Sequence, residues 1–360
     1  MPVLDRQSTF SGTKEASGAL ALPLEKLDAW LADHIQGFAG LKSAAQFKGG
    51  QSNPTYHLVS DSGDYVLRRK PPGKLLASAH AIDREFKLLL GLEKEQFPAA
   101  RPLAYCEDET IIGTAFYVMS HVKGRVIWEP AMPDSNPAER RAVFRSMAHT
   151  LAQLHRFDPA AIGLGDFGKA EGYIKRQVRR WSENYRLSAT EDIEDMNRLM
   201  AWLPDRLPDN PRASIVHGDY RLDNLILAPD RPEIMAVLDW ELATLGDPIA
   251  DLVYHLMTWV MPRSETGGGT GSLQGFDLAA LGLPSLEDHA ADYAQEAGLD
   301  QIPALETYLA YNFFRLAAIL QGIVGRVRDG TASNENAVAM ANQVRPLAEA
   351  GWHWAQKAKQ

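Results

Sequence analysis

Between residues 23 and 35 the side chains Leu27, Trp30, Leu31 and Ile35 recur at the spacing of one helical face, with Pro23 suited to a first turn. The period then changes. From 45 to 69 the short runs Gln46-Phe47-Lys48, Tyr56-His57-Leu58-Val59 and Tyr65-Val66-Leu67-Arg68 are separated by Gly49-Gly50-Gln51-Ser52-Asn53-Pro54 and Asp61-Ser62-Gly63-Asp64. Short alternating runs between turn-forming clusters predict three antiparallel strands. Helical spacing returns over 78–92, where Phe86, Leu89 and Leu90 share a face, and 116–119 reads as a buried strand. Asn136-Pro137-Ala138-Glu139 supplies an N-cap, a first-turn proline and an acid at the third position, opening a long helix through Met147, Leu151 and Leu154. Beyond it the pattern is mainly helical, interrupted by expected strands at 214–216, 225–227 and 236–238. A glycine-rich stretch within 264–275 follows no strand, so it reads as a surface loop rather than a phosphate-binding one.

These elements predict an α+β protein with two lobes. A polar leader, 1–22, is expected to be mobile; a small antiparallel-sheet lobe occupies 23–121, and a larger, mainly helical lobe occupies 122–360. The chain has 360 residues, 45% of them hydrophobic and 23% charged, which suits an ordinary globular protein. Its net charge of −9 argues against nucleic acid or an anionic membrane as partner. The single cysteine, Cys106, excludes an internal disulfide and a thiolate metal cluster. The leader lacks an apolar signal core, and no apolar run reaches the roughly 18 residues needed to span a bilayer, so a cytoplasmic protein is expected.

The chemistry concentrates in His217-Gly218-Asp219-Tyr220-Arg221-Leu222-Asp223-Asn224. Phosphoryl transfer requires a group that positions the acceptor hydroxyl and takes its proton, together with oxygen ligands that hold magnesium against phosphates. Here an acid is followed five positions later by asparagine, between the apolar runs Ile215-Val216 and Leu225-Ile226-Leu227, so one interstrand loop can aim both at a point. Twenty residues beyond Asp219, Val237-Leu238-Asp239 ends another apolar run in a carboxylate. The order is that of a catalytic base, a metal-binding Asn and a metal-binding Asp. No Gly-x4-Gly-Lys-Ser/Thr loop is present, which removes the P-loop route to ATP.

This constellation resembles the aminoglycoside phosphotransferase/choline kinase superfamily, the small-molecule branch of the protein-kinase fold, and the likeness covers nearly the whole chain. The resemblance implies ATP and Mg2+ as cofactors, Asp219 as base, and Asn224 and Asp239 as metal ligands, with Trp240 where protein kinases carry Phe. It further implies a nucleotide site in which Gly49, Gly50, Ser52 and Asn53 cover the phosphates and Arg68 stands in the place of the strand lysine. Glu85 would be the partner of Arg68, and residues 119–122, including Met119 and His121, would form the hinge that reads adenine. An arginine at position 68 brings a planar fork rather than an ammonium. His217, Asp247 and Asp251 are expected to be structural supports. A literal Asp166-Phe167-Gly168 precedes the base, against the kinase order, and reads as a turn.

The acceptor is less directly encoded. Between 169 and 186 the bases Lys169, Lys175, Arg176, Arg179, Arg180 and Arg186 face only Glu171 and Glu183, a surface that would repel polycationic aminoglycosides. Arg176, Arg179 and Arg180 would form a cationic helix face for an anionic hydroxyl substrate. The runs 47–56, 67–76 and 165–168 are also similar to the kinase-like domains fused to some acyl-CoA dehydrogenases and to their free-standing bacterial relatives, a subgroup implicated in phosphorylating hydroxyacyl-CoA thioesters. The competing readings are an aminoglycoside or other amino-alcohol kinase and a catalytically silent nucleotide-binding protein. A hydrolase built on His217 and Asp219 lacks an elbow-type nucleophile.

Overall fold

A computed structural model describes residues 5–49, 53–72, 81–169, 171–208, 212–263, 271–330 and 337–358. Strands β1 (Thr13–Lys14), β2 (Leu41–Phe47), β3 (Thr55–Ser60), β4 (Gly63–Arg69), β5 (Pro102–Cys106) and β6 (Phe116–Ser120) form one antiparallel sheet in the order β1-β2-β3-β4-β6-β5. Cross-strand pairing sets Thr55 opposite Arg68, His57 opposite Val66 and Arg68 opposite Tyr117. Because side chains alternate between faces, Thr55, His57, Val66, Arg68, Tyr117 and Met119 share one face. On the other face Tyr56, Leu58, Leu67, Phe116 and Val118 form a separate core with Leu27, Trp30 and Leu31 of a covering helix, Leu24–His34. The inner face joins the main core, largely through Leu88, Leu89 and Leu92 of the helix Ile82–Lys94.

The strands and helices expected at 23–35, 45–69, 78–92 and 116–119 fall on these elements, apart from 73–80 and 50–52, which lie outside the described residues. The expectation for 1–22 is corrected from Asp5 onward. Arg6–Phe10 is a short helix whose cap, Asp5, accepts from the Ser8 amide at 3.2 Å, and Thr13 and Lys14 pair with Phe47 and Gln46. Leu20 offers its carbonyl to the Tyr56 hydroxyl at 2.7 Å. What orders this segment is distant in sequence: Arg6 reaches Asp223 at 3.1 Å, and the Phe10 ring lies 5.0 Å from that of Trp128. A scan for local periodicity has no access to such partners.

In the larger lobe Pro137–Arg156 begins as its cap predicts, the Asn136 side chain accepting from the Glu139 amide at 2.9 Å. The helix Leu305–Arg328 is its central element, with Tyr308, Leu309, Tyr311, Phe313 and Phe314 fully enclosed. Two small antiparallel pairs flank the segment 217–224 and Asp239: β7 (Ser214–Val216) pairs with β10 (Thr244–Gly246), and β8 (Leu225–Leu227) pairs with β9 (Ile234–Val237). β10 and β5 lack an alternating pattern and escape the sequence reading. Of the expected glycine loop, 264–270 lies outside the described residues. Among the described residues no helix is long and apolar enough to cross a membrane.

Candidate active site

The loop between β7 and β8 turns sharply at Gly218, whose φ of +83° is open to glycine but strained for other residues. A side chain there would also meet the Cβ and carbonyl oxygen of Leu242 at 3.0 Å. Gly218→Ala is therefore expected to destabilise the protein by about 1–3 kcal/mol and displace Asp219, to be read as a lowered denaturation midpoint with a fall in kcat.

Three buried groups hold this turn. Asp251, in the first turn of the helix Pro248–Val260, accepts from the amides of His217 (2.7 Å) and Gly218 (2.8 Å), and His155 lies 3.2 Å from the same carboxylate. Burial pushes the Asp251 carboxyl upward, but His155 and His217 outweigh it and leave the group below the usual carboxylate range. His217 accepts the Asp219 amide on Nδ1 at 3.1 Å and so donates from Nε2 to the Leu238 carbonyl at 2.8 Å. It links the backbone before Asp239 to the backbone of Asp219. Asp247 caps the same helix, accepting from the Ile249 amide at 2.9 Å and from the Tyr308 hydroxyl at 2.6 Å.

Every oxygen of the Asp219 carboxylate is engaged. Oδ1 accepts from the Tyr254 hydroxyl at 2.6 Å and lies 3.1 Å from Arg221 Nε, while Oδ2 accepts from Asn224 Nδ2 at 3.0 Å. Asn224 Nδ2 also donates to the Asp219 carbonyl at 2.9 Å, and its side-chain oxygen has no hydrogen bond among the described residues. Burial raises the Tyr254 pKa, and neighbouring Asp219 raises it further, so this phenol stays protonated as a donor. Arg221 also reaches Asp223 at 3.3 Å, and Arg315 donates to the Gly218 carbonyl at 3.2 Å. Tyr254 and Arg221 were not singled out from sequence. Tyr254 carried a signal, since it lies three residues after Asp251 on one helical face; Arg315 and Arg6 carried none.

Asp239 follows β9 with φ +62°, a left-handed geometry that turns its side chain back toward the loop. Arg68 bridges it to the small lobe, 2.7 Å from Asp239 Oδ1 and 2.7 Å from Glu85 Oε2. Burial alone would disfavour the Arg68 charge, yet Glu85, Tyr117 and Asp239 raise its pKa, so it remains a fixed cation. Glu85 accepts further bonds from Asn53 Nδ2 (2.9 Å) and the Tyr117 hydroxyl (3.0 Å). Burial pushes the Glu85 carboxyl upward and Arg68 opposes that push. Arg69, the next basic residue, points to the opposite face of the sheet, donating to Thr114 at 2.9 Å. Asn53, expected over phosphates, is fully buried, with its carboxamide on Glu85. Gly50 and Ser52 lie outside the described residues.

Between the lobes opens a cavity of about 1090 Å³. Its roof carries Gly49, Val66 and Arg68, its side Met119 and His121, and its floor Arg221, Asn224 and Asp239. Gly49 packs so closely on Trp128 that a Cβ would come within 2.8 Å of the indole. Asp5, Gln7, Ser8 and Phe10 close one side, with Gln7 donating to the Val126 carbonyl at 3.0 Å.

The basic helix, Tyr173–Ser188, stands apart from this cavity: none of Arg176, Arg179 and Arg180 lines it. Arg176 donates to the Lys169 carbonyl, Arg180 lies 5.3 Å from the Trp181 ring, and Arg179 is exposed. None of the three has a carboxylate partner among the described residues. The first turn of this helix approaches the β7–β8 loop, where Tyr173 borders a small void beside Gly218, Asp247 and Arg315. Asp166-Phe167-Gly168 is a brace beneath the helix bearing Glu85, since Arg84 donates to the Phe167 carbonyl at 2.7 Å and covers the Phe167 ring, while Lys87 meets Asp166 at 2.6 Å.

A sheet lobe with a buried Arg-Glu pair, set over a helical lobe whose β7–β8 loop carries Asp219 and Asn224 and whose β9 runs on into Asp239, is the architecture of a small-molecule kinase. Comparison with known proteins agrees. The Phosphotransferase enzyme family profile matches residues 43–281. The chain belongs to that family. A Ralstonia eutropha JMP134 protein, solved under the provisional name aminoglycoside phosphotransferase, is 45% identical with a TM-score of 0.84, covering 94% of this chain and 100% of its own. Choline kinase from Cryptosporidium parvum (11% identity, TM-score 0.59, 93% of this chain and 95% of its own) and spectinomycin phosphotransferase APH(9)-Ia, solved with ADP and spectinomycin (12%, 0.59, 91% and 98%), share the fold. Human acyl-CoA dehydrogenase family member 11 is 40% identical over 350 residues, and mouse member 10 is 40% identical over 353. The alignments cover 94% and 96% of this chain but only 44% and 32% of those proteins, so the chain spans less than half the length of these curated relatives.

Proposed function

We propose that the protein transfers the γ-phosphoryl group of ATP to the hydroxyl of a small anionic metabolite, a hydroxyacyl-CoA thioester. The observation that carries the transfer is the convergence of Asp219, Asn224 and Asp239 beneath the Arg68–Glu85 pair. Asp219 would orient the acceptor hydroxyl and take its proton on the carboxylate that Tyr254, Arg221 and Asn224 hold in place. Arg68, buried and charged, would meet the phosphates where Gly49 lets the roof approach closely. Asn224 and Asp239 both border the cavity and offer only oxygen ligands, a set suited to a hard divalent cation, so they would hold Mg2+. Bound there, the ion would neutralise charge on the phosphates.

The acyl-CoA assignment draws on the names of the relatives and on the basic face of Arg176, Arg179 and Arg180, which would meet phosphates of CoA outside the cleft. ADP formation is to be compared for a 4-hydroxyacyl-CoA, the free hydroxy acid and kanamycin. The thioester should be turned over far faster than either; turnover of kanamycin alone would overturn the assignment. Arg68→Lys keeps the charge but loses the fork that spans Glu85 and Asp239. Losing a charge-assisted bond of about 1.5–3 kcal/mol should lower kcat/KM for ATP by about 10- to 100-fold.

A further inference from the structure

Away from Asp219, three side chains of ligand type converge at the rim of the small lobe. His57 lies on β3, Asp64 near the start of β4, and His121 just past β6. Asp64 pairs with Val59, two residues beyond His57, which puts both on one face, and Ser120, opposite Tyr65, brings His121 alongside. His57 Nε2 is 3.3 Å and His121 Nδ1 is 3.8 Å from the same Asp64 oxygen, and the two rings lie 4.5 Å apart. All three ligand atoms fall within 4.8 Å of one another, the one such group of His, Cys, Asp or Glu among the described residues.

The hydrogen bonding around this group is incomplete. His57 Nε2 and His121 Nδ1 are both shielded from solvent, and neither makes a hydrogen bond among the described residues, Asp64 being poorly aligned with the first and too distant from the second. A buried polar nitrogen without a partner costs free energy that a ligand would recover. A four-coordinate zinc ion with bonds of about 2.0–2.1 Å holds its ligand atoms about 3.3 Å apart; the His57–Asp64 separation of 3.3 Å matches this, and His121, 3.8 Å from Asp64, needs a small inward shift. Two imidazoles and one carboxylate suit Zn2+ rather than the oxygen-seeking Mg2+.

We propose that His57, Asp64 and His121 form a transition-metal site of the Zn2+ type, with its fourth position open to water and separate from Asn224 and Asp239. His121 also borders the large cavity, so an ion there would tie β3 and β4 to the segment after β6 that leads into the larger lobe.

The test is titration of the metal-free full chain with Co2+, without nucleotide. One equivalent should give the intense visible absorption of four-coordinate cobalt and be displaced by Zn2+. His57→Ala, and Asp64→Asn with its preserved shape, should each weaken binding by more than about 100-fold, whereas Asp239→Asn should leave it unchanged. Ring nitrogen NMR of the unmodified protein gives a readout that needs no variant, with Zn2+ moving the signals of His57 Nε2 and His121 Nδ1. Purely six-coordinate cobalt, ring signals that Zn2+ does not move, undiminished affinity in His57→Ala, or loss of affinity in Asp239→Asn would each overturn the proposal.

Discussion

Asp219→Asn is expected to lower kcat by about 10²- to 10⁴-fold, the range for removal of a positioned general base, with little change in the KM for ATP. Asparagine keeps the size of the side chain, but it cannot take the hydroxyl proton, and with its oxygen kept toward Arg221 (3.1 Å) and Tyr254 (2.6 Å) its amide nitrogen would face the Asn224 amide, another donor, at 3.0 Å. Steady-state kinetics together with nucleotide binding separate the effects: a kcat within tenfold of the parent would mean that Asp219 is not the base. Tyr254→Phe provides the graded comparison, since it removes one support and leaves the carboxylate in place.

Asp251→Ala is expected to lose about 3–5 kcal/mol of stability, on the scale of breaking a buried charged network. The side chain is 1% exposed and serves two backbone amides of the β7–β8 turn together with His155, all of which the substitution strands in the interior. The same residue predicts a pH dependence. Its folded-state pKa lies below the ordinary value of about 3.9, so its contribution is fully present above about pH 4 and is lost as pH falls through the depressed pKa. Urea midpoints measured from pH 7 downward should fall more steeply at acid pH in the parent than in Asp251→Ala. Equal slopes would place the acid sensitivity elsewhere.

These two carboxylates also mark the boundary of what was legible. Asp219 could be found because loop, asparagine and second acid follow each other within twenty residues, between apolar runs that must be strands. Asp251 was recognised as an acid at a helix start, and its closeness to His217 and Gly218 emerges only once β7 and the helix Pro248–Val260 pack together. The leader was misread for a related reason, since Arg6 is ordered by an acid 217 positions away.

Period and spacing along the chain therefore determined the order of helices and strands, the sheet lobe before the helical one, and the cluster of residues proposed to carry phosphoryl transfer, because these depend on neighbours a few positions apart. Tertiary structure alone decided that Arg68 rather than Arg69 faces the cleft, that Asn53 serves Glu85, that Arg176, Arg179 and Arg180 stand outside the cavity, and that His57, Asp64 and His121 meet. Each of those outcomes turns on the face of a strand or helix that a distant segment covers, and local periodicity carries no record of which segment that is.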